Sequence, residues 1–340
     1  MPIAVAIPAR DEAERITGCL GAVAAALRGL GPAGIVVLAD RCGDGTADLA
    51  RIWGLSCAPL GIELEVVEDA TSCDAGTARA RVAAHARARL TERGAILSTD
   101  ADSRPGPGWA RGMIDVLRGA DMACGPVRLD RRPEGPAAAV AAIETEALHL
   151  QAQAAALIDP DPANPWPHHL SISGASLGLT AAAHDALGGL PTPPRAEDRA
   201  LVQAALDRDM AVRFAPVAEV ETSTRLDGRA GGGLAATLAD RRAAQDPLCD
   251  ERLMPLPFLL TRCTIRRRLR ETGAGPWLRV HGVEPSVVPP EAGPGAAWAA
   301  IRDAAPHLSA GRLRLSEVRT QLPALRRLVA RLEPRAGLTA

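Results

Sequence analysis

The stretch IAVAIPARDE, residues 3–12, decides the fold class, because a short apolar run ends in proline and a polar loop before a helical pattern begins. Apolar residues then recur at the spacing of one helix face, at Ile16, Leu20, Val23 and Leu27. Further apolar runs lie at 35–38 and 95–98, and apolar and acidic residues alternate over 62–67; helical segments separate these stretches. Short strands buried on both faces and alternating with helices predict an α/β fold, with a mostly parallel sheet flanked by helices.

The second half of the chain continues this alternation and then changes character. The pattern predicts a strand over 122–129, an Ala-rich helix over 136–157, a Pro-rich loop over 159–167, a helix from Glu197 and a strand over 212–215. From about Gln245 Arg-rich helical segments alternate with Gly/Pro-rich ones. We therefore expect an α/β domain over 1–244, built from halves 1–105 and 106–244, followed by a helical extension with linkers over 245–340.

The composition excludes several classes of chemistry and argues against some partners. The 340 residues carry a formal net charge of −1 and only 2% aromatic residues, which argues against a nucleic-acid partner. The chain contains no lysine, so Schiff-base lysine chemistry and a P-loop lysine are excluded. The seven cysteines form no C-x-x-C pair, and no signal peptide is evident. No apolar run approaches the ~20 residues of a membrane span. We therefore expect a cytoplasmic protein.

Acidic loops follow three of the predicted strands, at 8–12, 40–44 and 99–102. Ligands of a parallel sheet bind outside the carboxyl ends of its strands, so these loops are expected to border one cleft. Asp100 and Asp102 flank one residue and are candidate ligands of Mg²⁺ or Mn²⁺, which prefer oxygen. Asp40 is a candidate acceptor of hydrogen bonds from a base or ribose, and Asp44 is interpreted as a helix cap. The alternative for Asp100 and Asp102 is an ordinary solvated acidic loop.

Several motifs together resemble the family-two nucleotide-sugar glycosyltransferases. IPARDE at 7–12 resembles their I-P-A-R-N-E opening, 36–46 with its terminal D-G-T resembles the second-strand motif, and TDADS at 99–103 resembles the D-x-D metal motif. Similar matches lie at 76–81 (GTARAR), 173–179, 187–190 and 195–198 (RAED). The motifs occur in the family's order between about residues 3 and 238, and the resemblance leaves out the last hundred residues.

The resemblance implies a GT-A fold, in which a Rossmann-like nucleotide half and an acceptor half share one continuous sheet. It implies transfer of a sugar from a UDP- or GDP-linked donor to an acceptor hydroxyl. The site residues carried over are Pro8, Arg10, Glu12 and Asp40 near base and ribose, Arg79 near the nucleotide, Asp100 and Asp102 at the metal, and Asp198 as general base. Asp198 also opens a predicted helix, whose N-terminus favours an anion.

The residues leave several alternatives open. A retaining GT-A glycosyltransferase shares the metal site but needs no base opposite the leaving group, and a non-catalytic nucleotide-sugar-binding domain keeps only the fold. Ala39, Arg41 and Cys42 depart from the family's usual D-D-G-S, which leaves the nucleotide open. The segment 219–223 supplies no His, which favours the inverting enzyme over the retaining one.

Other clusters have two interpretations each. Arg225 and Arg229, before the glycines at 231–233, are either a diphosphate clamp or a solvated loop. His168 and His169 are either acceptor contacts or structural residues. The arginines between 262 and 270 either meet anionic lipid or an acidic partner, giving peripheral membrane contact, or form a solvated helix face. The last helix, predicted over 316–332, either pairs with a second subunit in a homodimer or covers the core.

Overall fold

The computed structural model describes residues 1–57, 61–71, 74–132, 134–193, 195–225, 241, 243–271, 275–308 and 311–336. Its strands are β1 (Ile3–Ala9), β2 (Ala33–Asp40), β3 (Ile62–Asp69), β4 (Ala95–Ser98), β5 (Arg104–Pro105), β6 (Met122–Cys124), β7 (Val127–Leu129), β8 (Leu177–Thr180), β9 (Val212–Phe214) and β10 (Val220–Thr222). Its helices are α1 (Ile16–Leu27), α2 (Thr46–Cys57), α3 (Ala75–Ala88), α4 (Trp109–Leu117), α5 (Gly135–Ile158), α6 (Ala181–Leu187), α7 (Glu197–Leu206), α8 (Leu256–Glu271), α9 (Gly275–Val280), α10 (Pro294–Ala304) and α11 (Leu315–Ala336). Among the helices in these ranges, none is long and apolar enough to cross a bilayer.

The chain divides into two compact units. The first comprises residues 1–131, 171–205 and 210–236, and the second comprises 132–170, 206–209 and 237–340. Helix α5 and the Pro-rich segment that follows it therefore pack with the C-terminal helices, although both lie before residue 245. The domain boundary at 244/245 stays a prediction, since compactness alone does not define an evolutionary domain.

The first unit is built on a seven-stranded sheet in the order β3-β2-β1-β4-β8-β6-β9. Neighbours in β3-β2-β1-β4 are parallel, as are β6 and β9, whereas β8 is antiparallel to both β4 and β6. The predicted α/β fold with a mostly parallel sheet is confirmed. The single continuous sheet that joins the two halves is also present.

The strand predicted over 122–129 is wrong as a single element. The chain forms β6 and β7 instead, and β7 joins a separate three-stranded sheet in the order β5-β10-β7. The break falls at Gly125 and Pro126, where a Cβ on Gly125 would lie 2.2 Å from both the carbonyl oxygen of Ala218 and the Oγ of Ser176. Only glycine fits this approach, and the following proline has no amide to continue a ladder.

Both faces of the sheet are covered. Along β1, Ile3, Val5 and Ile7 pack into one apolar cluster with residues of α1 and α4, while Ala4 and Ala6 face a second cluster with Val82 of α3. The alternation follows from the two-residue period of a strand, and burial on both faces explains the unbroken apolar runs in the sequence. Each fully buried Leu or Ile contributes about 1.5–3 kcal/mol to this core.

The second unit is helical. Helix α5 packs along α11 and against α8, and one apolar cluster joins Ala154, Leu259, Leu325 and Val329. A further cluster joins Ile265 of α8 with Trp298 and Ile301 of α10. The apolar face of the terminal helix is thus used within this unit.

Candidate active site

The carboxyl ends of β1, β2 and β4 place the three acidic loops side by side. Ala9 at the end of β1 pairs with Ala39 of β2, and Ala6 of β1 pairs with Ser98, the last residue of β4. The loops that follow therefore leave the sheet at one edge, because neighbouring parallel strands end at the same side. This edge carries the candidate site.

A buried arginine organises the site. Arg79 lies in α3 and is only 6% exposed. Its Nη2 donates to Asp100 Oδ1 at 2.8 Å, its Nε donates to Glu197 Oε1 at 3.2 Å, and its Nη1 donates to Ser98 Oγ and to the carbonyl oxygen of Gly174, both at 3.0 Å. Burial acts to lower the pKa of the guanidinium, but attraction to Asp100 and Glu197 outweighs it and raises the pKa above its usual range. Every nitrogen of Arg79 is thus bound within the protein, whereas the resemblance places this residue near the nucleotide.

Gly174 connects this arginine to the candidate base. A Cβ at position 174 would lie 2.3 Å from the Cζ and Nη2 of Arg79, so only glycine allows the guanidinium to reach its carbonyl oxygen. The amide of the same residue donates to Asp198 Oδ2 at 3.2 Å. One peptide segment therefore touches both the arginine that holds Asp100 and the carboxylate of Asp198.

Asp198 lies in the first turn of α7, with Glu197 beside it. Its Oδ1 accepts the amide hydrogen of Arg199 at 2.8 Å. Burial raises the pKa of the Asp198 carboxyl and the charge of Glu197 adds to this, while the bond from Arg199 and the charge of Arg79 act against them. The preceding residue, Ala196, has φ +55°, a conformation that costs a non-glycine residue free energy and often marks functional loops.

The loop after β4 carries Asp100 and Asp102 and fits a hard divalent cation. Burial, together with the charges of Asp100 and Glu12, raises the pKa of the Asp102 carboxyl to about 6, and the charge of Arg225 acts in the other direction. Negative charge is thus concentrated here beyond what the neighbouring cations balance. Carboxylate oxygens are the ligands that Mg²⁺ and Mn²⁺ prefer, so the donor set suits either ion.

Arg225 bridges two of the acidic loops. Its Nη1 donates to Glu12 Oε2 at 2.7 Å and its Nη2 to Glu12 Oε1, which makes a bidentate pair, while Nη2 lies 3.6 Å from Asp102 Oδ2. The carboxylate of Glu12, which is 6% exposed, accepts these hydrogen bonds and so raises the pKa of Arg225, although burial opposes this. The two residues were predicted separately, as a nucleotide contact and a phosphate clamp. The structure pairs them with each other.

The loop after β2 is held by its own polar groups. Asp40 is buried and accepts from Nε of Arg41 at 3.2 Å, and Arg41 has φ +47°. Asp44 accepts the amide hydrogen of Thr46 at 2.9 Å and that of Ala13 at 3.0 Å, in agreement with its interpretation as a helix cap. Asp11, Cys42 and Asp44 come within 4.8 Å of one another through their ligand atoms, but the carboxylates already accept backbone amides. The trio is therefore a loop clamp.

The remaining predicted site residues lie at the edge of β1, in the second unit, or outside the described residues. Pro8 lies within β1 and Arg10 directly after it, both half-buried, and within the described ranges the Arg10 side chain has no ion pair or hydrogen bond. Arg229 and the glycines at 231–233 lie outside the residues that the structure describes. His168 and His169 belong to the second unit.

Sequence reasoning missed two supporting contacts. Glu197, which the sequence indicates only as the start of a helix, binds the Arg79 guanidinium. Cys19 of α1 donates its thiol to the carbonyl oxygen of Asp100 at 3.3 Å and so braces the acidic loop.

Similarity to solved structures was found at low sequence identity. Glucosyl-3-phosphoglycerate synthase from Mycobacterium tuberculosis, in complex with Mn²⁺, UDP-glucose and phosphoglyceric acid, is 19% identical over 70% of this chain and 77% of that one, with a TM-score of 0.45. Mannosyltransferase PcManGT from Pyrobaculum calidifontis, with GDP-Man and Mn²⁺, is 16% identical over 99% and 79%, with a TM-score of 0.49. TarS residues 1–349 from S. aureus, with UDP-GlcNAc, is 14% identical over 98% and 89%, with a TM-score of 0.48. All three are complexes with a nucleotide sugar. No family model and no curated protein matches the chain.

Proposed function

We propose that this protein is a metal-dependent, inverting glycosyltransferase of the GT-A type, which moves a sugar from a UDP- or GDP-linked donor to an acceptor hydroxyl. The observation that supports this most directly is the pair of contacts made by Gly174. Its carbonyl oxygen binds the arginine that holds Asp100, and its amide binds Asp198. The segment at Gly174 thus contacts the candidate base directly and the candidate cation ligand through Arg79, which fixes the two carboxylates relative to each other.

In the proposed site, Asp100 and Asp102 hold Mg²⁺ or Mn²⁺. When bound, the ion neutralises charge on the departing diphosphate, which is Lewis-acid catalysis. Pro8, Arg10, Glu12 and Asp40 border the nucleoside, and Arg10 offers a guanidinium that no protein group in the described ranges occupies. Arg79 acts as a positioning residue, because its nitrogens are all bound within the protein.

Asp198 is proposed to take the proton from the attacking hydroxyl. The hydroxyl oxygen then forms its bond to the anomeric carbon as the bond from that carbon to the diphosphate oxygen breaks, which inverts the configuration. The raised pKa of Asp198 makes its carboxylate a stronger base than an exposed one, provided that it is ionised at the working pH. The amide bonds from Gly174 and Arg199 fix its orientation.

The test is turnover of an Asp198→Asn variant on a panel of UDP- and GDP-sugars with Mn²⁺, read as release of nucleoside diphosphate. We expect a loss of about 10²–10⁴-fold in kcat with little change in nucleotide affinity, because the amide keeps the shape but not the base. Asp185→Asn, which alters a surface carboxylate paired with Arg87, is the matched control. An Asp198→Asn variant that keeps most of its turnover, or a product with retained anomeric configuration, contradicts the inverting mechanism.

The wider organisation is part of the same proposal. A donor-and-acceptor domain over 1–244 with a C-terminal extension follows from the motif order, and a cytoplasmic location is supported by the free cysteines at 19, 42, 124, 249 and 263. Contact with a membrane surface and homodimer formation remain predictions from the Arg-rich C-terminal part.

A further inference from the structure

Arg225 lies shortly after β10, and bonds within the first unit fix its backbone. The amide and the hydroxyl of Thr224 both donate to Asp130 Oδ1, at 3.0 and 2.6 Å. The amide of Arg225 itself donates to Ser223 Oγ at 3.2 Å. Because these bonds hold the backbone, the groups that Arg225 can contact are set by the reach of its long and flexible side chain.

The guanidinium of Arg225 contacts carboxylates from two other loops. Its Nη1 donates to Glu12 Oε2 at 2.7 Å, and its Nη2 binds Glu12 Oε1 and lies 3.6 Å from Asp102 Oδ2. The side chains of Glu12, Asp102 and Arg225 are only 7%, 18% and 20% exposed. Water therefore screens these three charges weakly, so the arrangement that they adopt affects how strongly any further ion binds among them.

A divalent cation at Asp102 would compete with this guanidinium. Asp102 is a proposed cation ligand, and Nη2 of Arg225 already lies 3.6 Å from its Oδ2. Two positive charges beside one carboxylate repel each other, and the repulsion is stronger where water is largely excluded. Glu12 holds the guanidinium in this place, since Arg225 binds both of its oxygens. In this arrangement the Arg225 side chain thus opposes binding of the cation.

The guanidinium of Arg225 presents a planar fork of donors, which matches a diphosphate as well as it matches a carboxylate. Arginine binds two oxygens of a phosphate in the bidentate geometry that Arg225 uses for Glu12. Arg79 does not offer this contact, because its nitrogens all bind groups of the protein. Arg225 therefore has an alternative partner of the same chemistry when a nucleoside diphosphate lies beside Asp102.

We propose that Arg225 exchanges partners during donor binding, leaving Glu12 and Asp102 for the diphosphate of the nucleotide. The proposal rests on the proposed function, since it needs a nucleoside diphosphate in the site. Without nucleotide, the Arg225 side chain weakens the cation site, and a nucleotide that draws the guanidinium away removes this competitor. Cation and nucleotide therefore bind cooperatively through Arg225, and the coupling acts equally in both directions. The opposing possibility is that Arg225 stays on Glu12 as a permanent brace between two loops.

The first test measures Mn²⁺ affinity of the full chain by electron paramagnetic resonance, with and without saturating GDP or UDP, corrected for Mn²⁺ that free nucleotide binds. The diphosphate itself coordinates the ion, so wild type and Arg225→Gln both gain Mn²⁺ affinity from the nucleotide. Only wild type also loses a competitor, and its gain is expected to exceed that of Arg225→Gln by about tenfold. Arg128→Gln keeps the wild-type gain, because Arg128 lies on β7, beside β10, in an exposed pair with Glu219.

The outcomes separate the partner exchange from the proposed function. If neither nucleotide binds wild type, the proposed function fails and the exchange fails with it. If a nucleotide binds but the gain in Mn²⁺ affinity is equal in wild type and Arg225→Gln, the exchange alone is refuted and Arg225 is a brace. A gain in Arg128→Gln that is reduced as much as in Arg225→Gln also refutes the exchange.

The second test leaves Arg225 in place, so it does not depend on the folding of Arg225→Gln. Glu12→Gln removes the carboxylate of the bidentate pair and releases the guanidinium more easily. In isothermal titration calorimetry without metal, GDP or UDP is expected to bind Glu12→Gln about tenfold more tightly than wild type. Glu14→Gln removes an exposed charge that also acts on Arg225 and binds nucleotide as wild type does. Unchanged or weaker nucleotide binding by Glu12→Gln contradicts the exchange.

Discussion

Replacing Arg79 by methionine is the most direct perturbation of the candidate site. The guanidinium is almost fully buried, and its loss removes the cation that both Glu197 and Asp100, whose side chains are 17% and 33% exposed, bind. Methionine keeps much of the side-chain volume, so the effect is electrostatic more than a cavity effect.

The expected cost follows from these exposures. Removing one partner of a buried ion pair costs about 3–5 kcal/mol, and the partial exposure of Asp100 places Arg79→Met near the lower end, at about 3 kcal/mol. This is a large part of the roughly 5–15 kcal/mol that keeps a domain folded. Adding Asp100→Asn to Arg79→Met removes one of the unpaired charges, so the double variant recovers about 1 kcal/mol.

Urea unfolding followed by circular dichroism measures both quantities, with equal slopes required across variants. Arg89→Met is the control, because Arg89 pairs with Glu63 and Glu65 at the surface. An exposed network of this kind contributes at most about 1 kcal/mol. If Arg79→Met costs no more than Arg89→Met, the reasoning about a central buried guanidinium is wrong.

Three further outcomes are expected. In EDTA, we expect Asp102→Asn to be more stable than wild type by about 2–3 kcal/mol at pH 8 and equal to it near pH 4. The pKa of Asp102 is raised to about 6 in the folded chain, so the wild type loses stability as the pH rises from 4 through 6. Thermal unfolding measured across that pH range checks this. Arg225→Gln is expected to bind Mn²⁺, without nucleotide, about tenfold more tightly than wild type, because it removes a guanidinium that competes with the cation for Asp102 and Glu12. Electron paramagnetic resonance measures this affinity, and weaker Mn²⁺ binding contradicts the expectation. Gly295→Ala destabilises the second unit by at least about 1–3 kcal/mol in urea, because its Cβ would lie 1.9 Å from the carbonyl oxygen of Leu206, and an unchanged midpoint counts against that packing.

The sequence was sufficient for the parts of the fold that depend on local pattern. The unbroken apolar runs at 35–38 and 95–98 indicated strands buried on both faces, and β2 and β4 occupy the interior of the sheet. The antiparallel direction of β8 was not readable, because the side-chain pattern of a buried strand is the same in both directions. The division at Gly125 depended on the approach of a distant backbone, which no local pattern encodes.

For the candidate site, the sequence indicated which loops carry charge but not how the charges pair. Glu12 and Arg225 are separated by more than two hundred positions, and Arg79 reaches groups from three other segments. Such pairings depend on side-chain reach after the sheet has formed. Motif order could place these residues near one edge of the sheet, whereas their hydrogen-bond partners are determined by the folded structure.

The left-handed backbone at Ala196 and Arg41 has a consequence for engineering. Glycine at either position would relieve a conformational penalty of about 1 kcal/mol in the native chain but would enlarge the ensemble of the unfolded one. The side chains that hold these loops would then have to supply all of their rigidity. Glycine at these positions would relieve strain but loosen the geometry near the acidic residues, so both positions should be left unchanged when the protein is engineered for thermal stability.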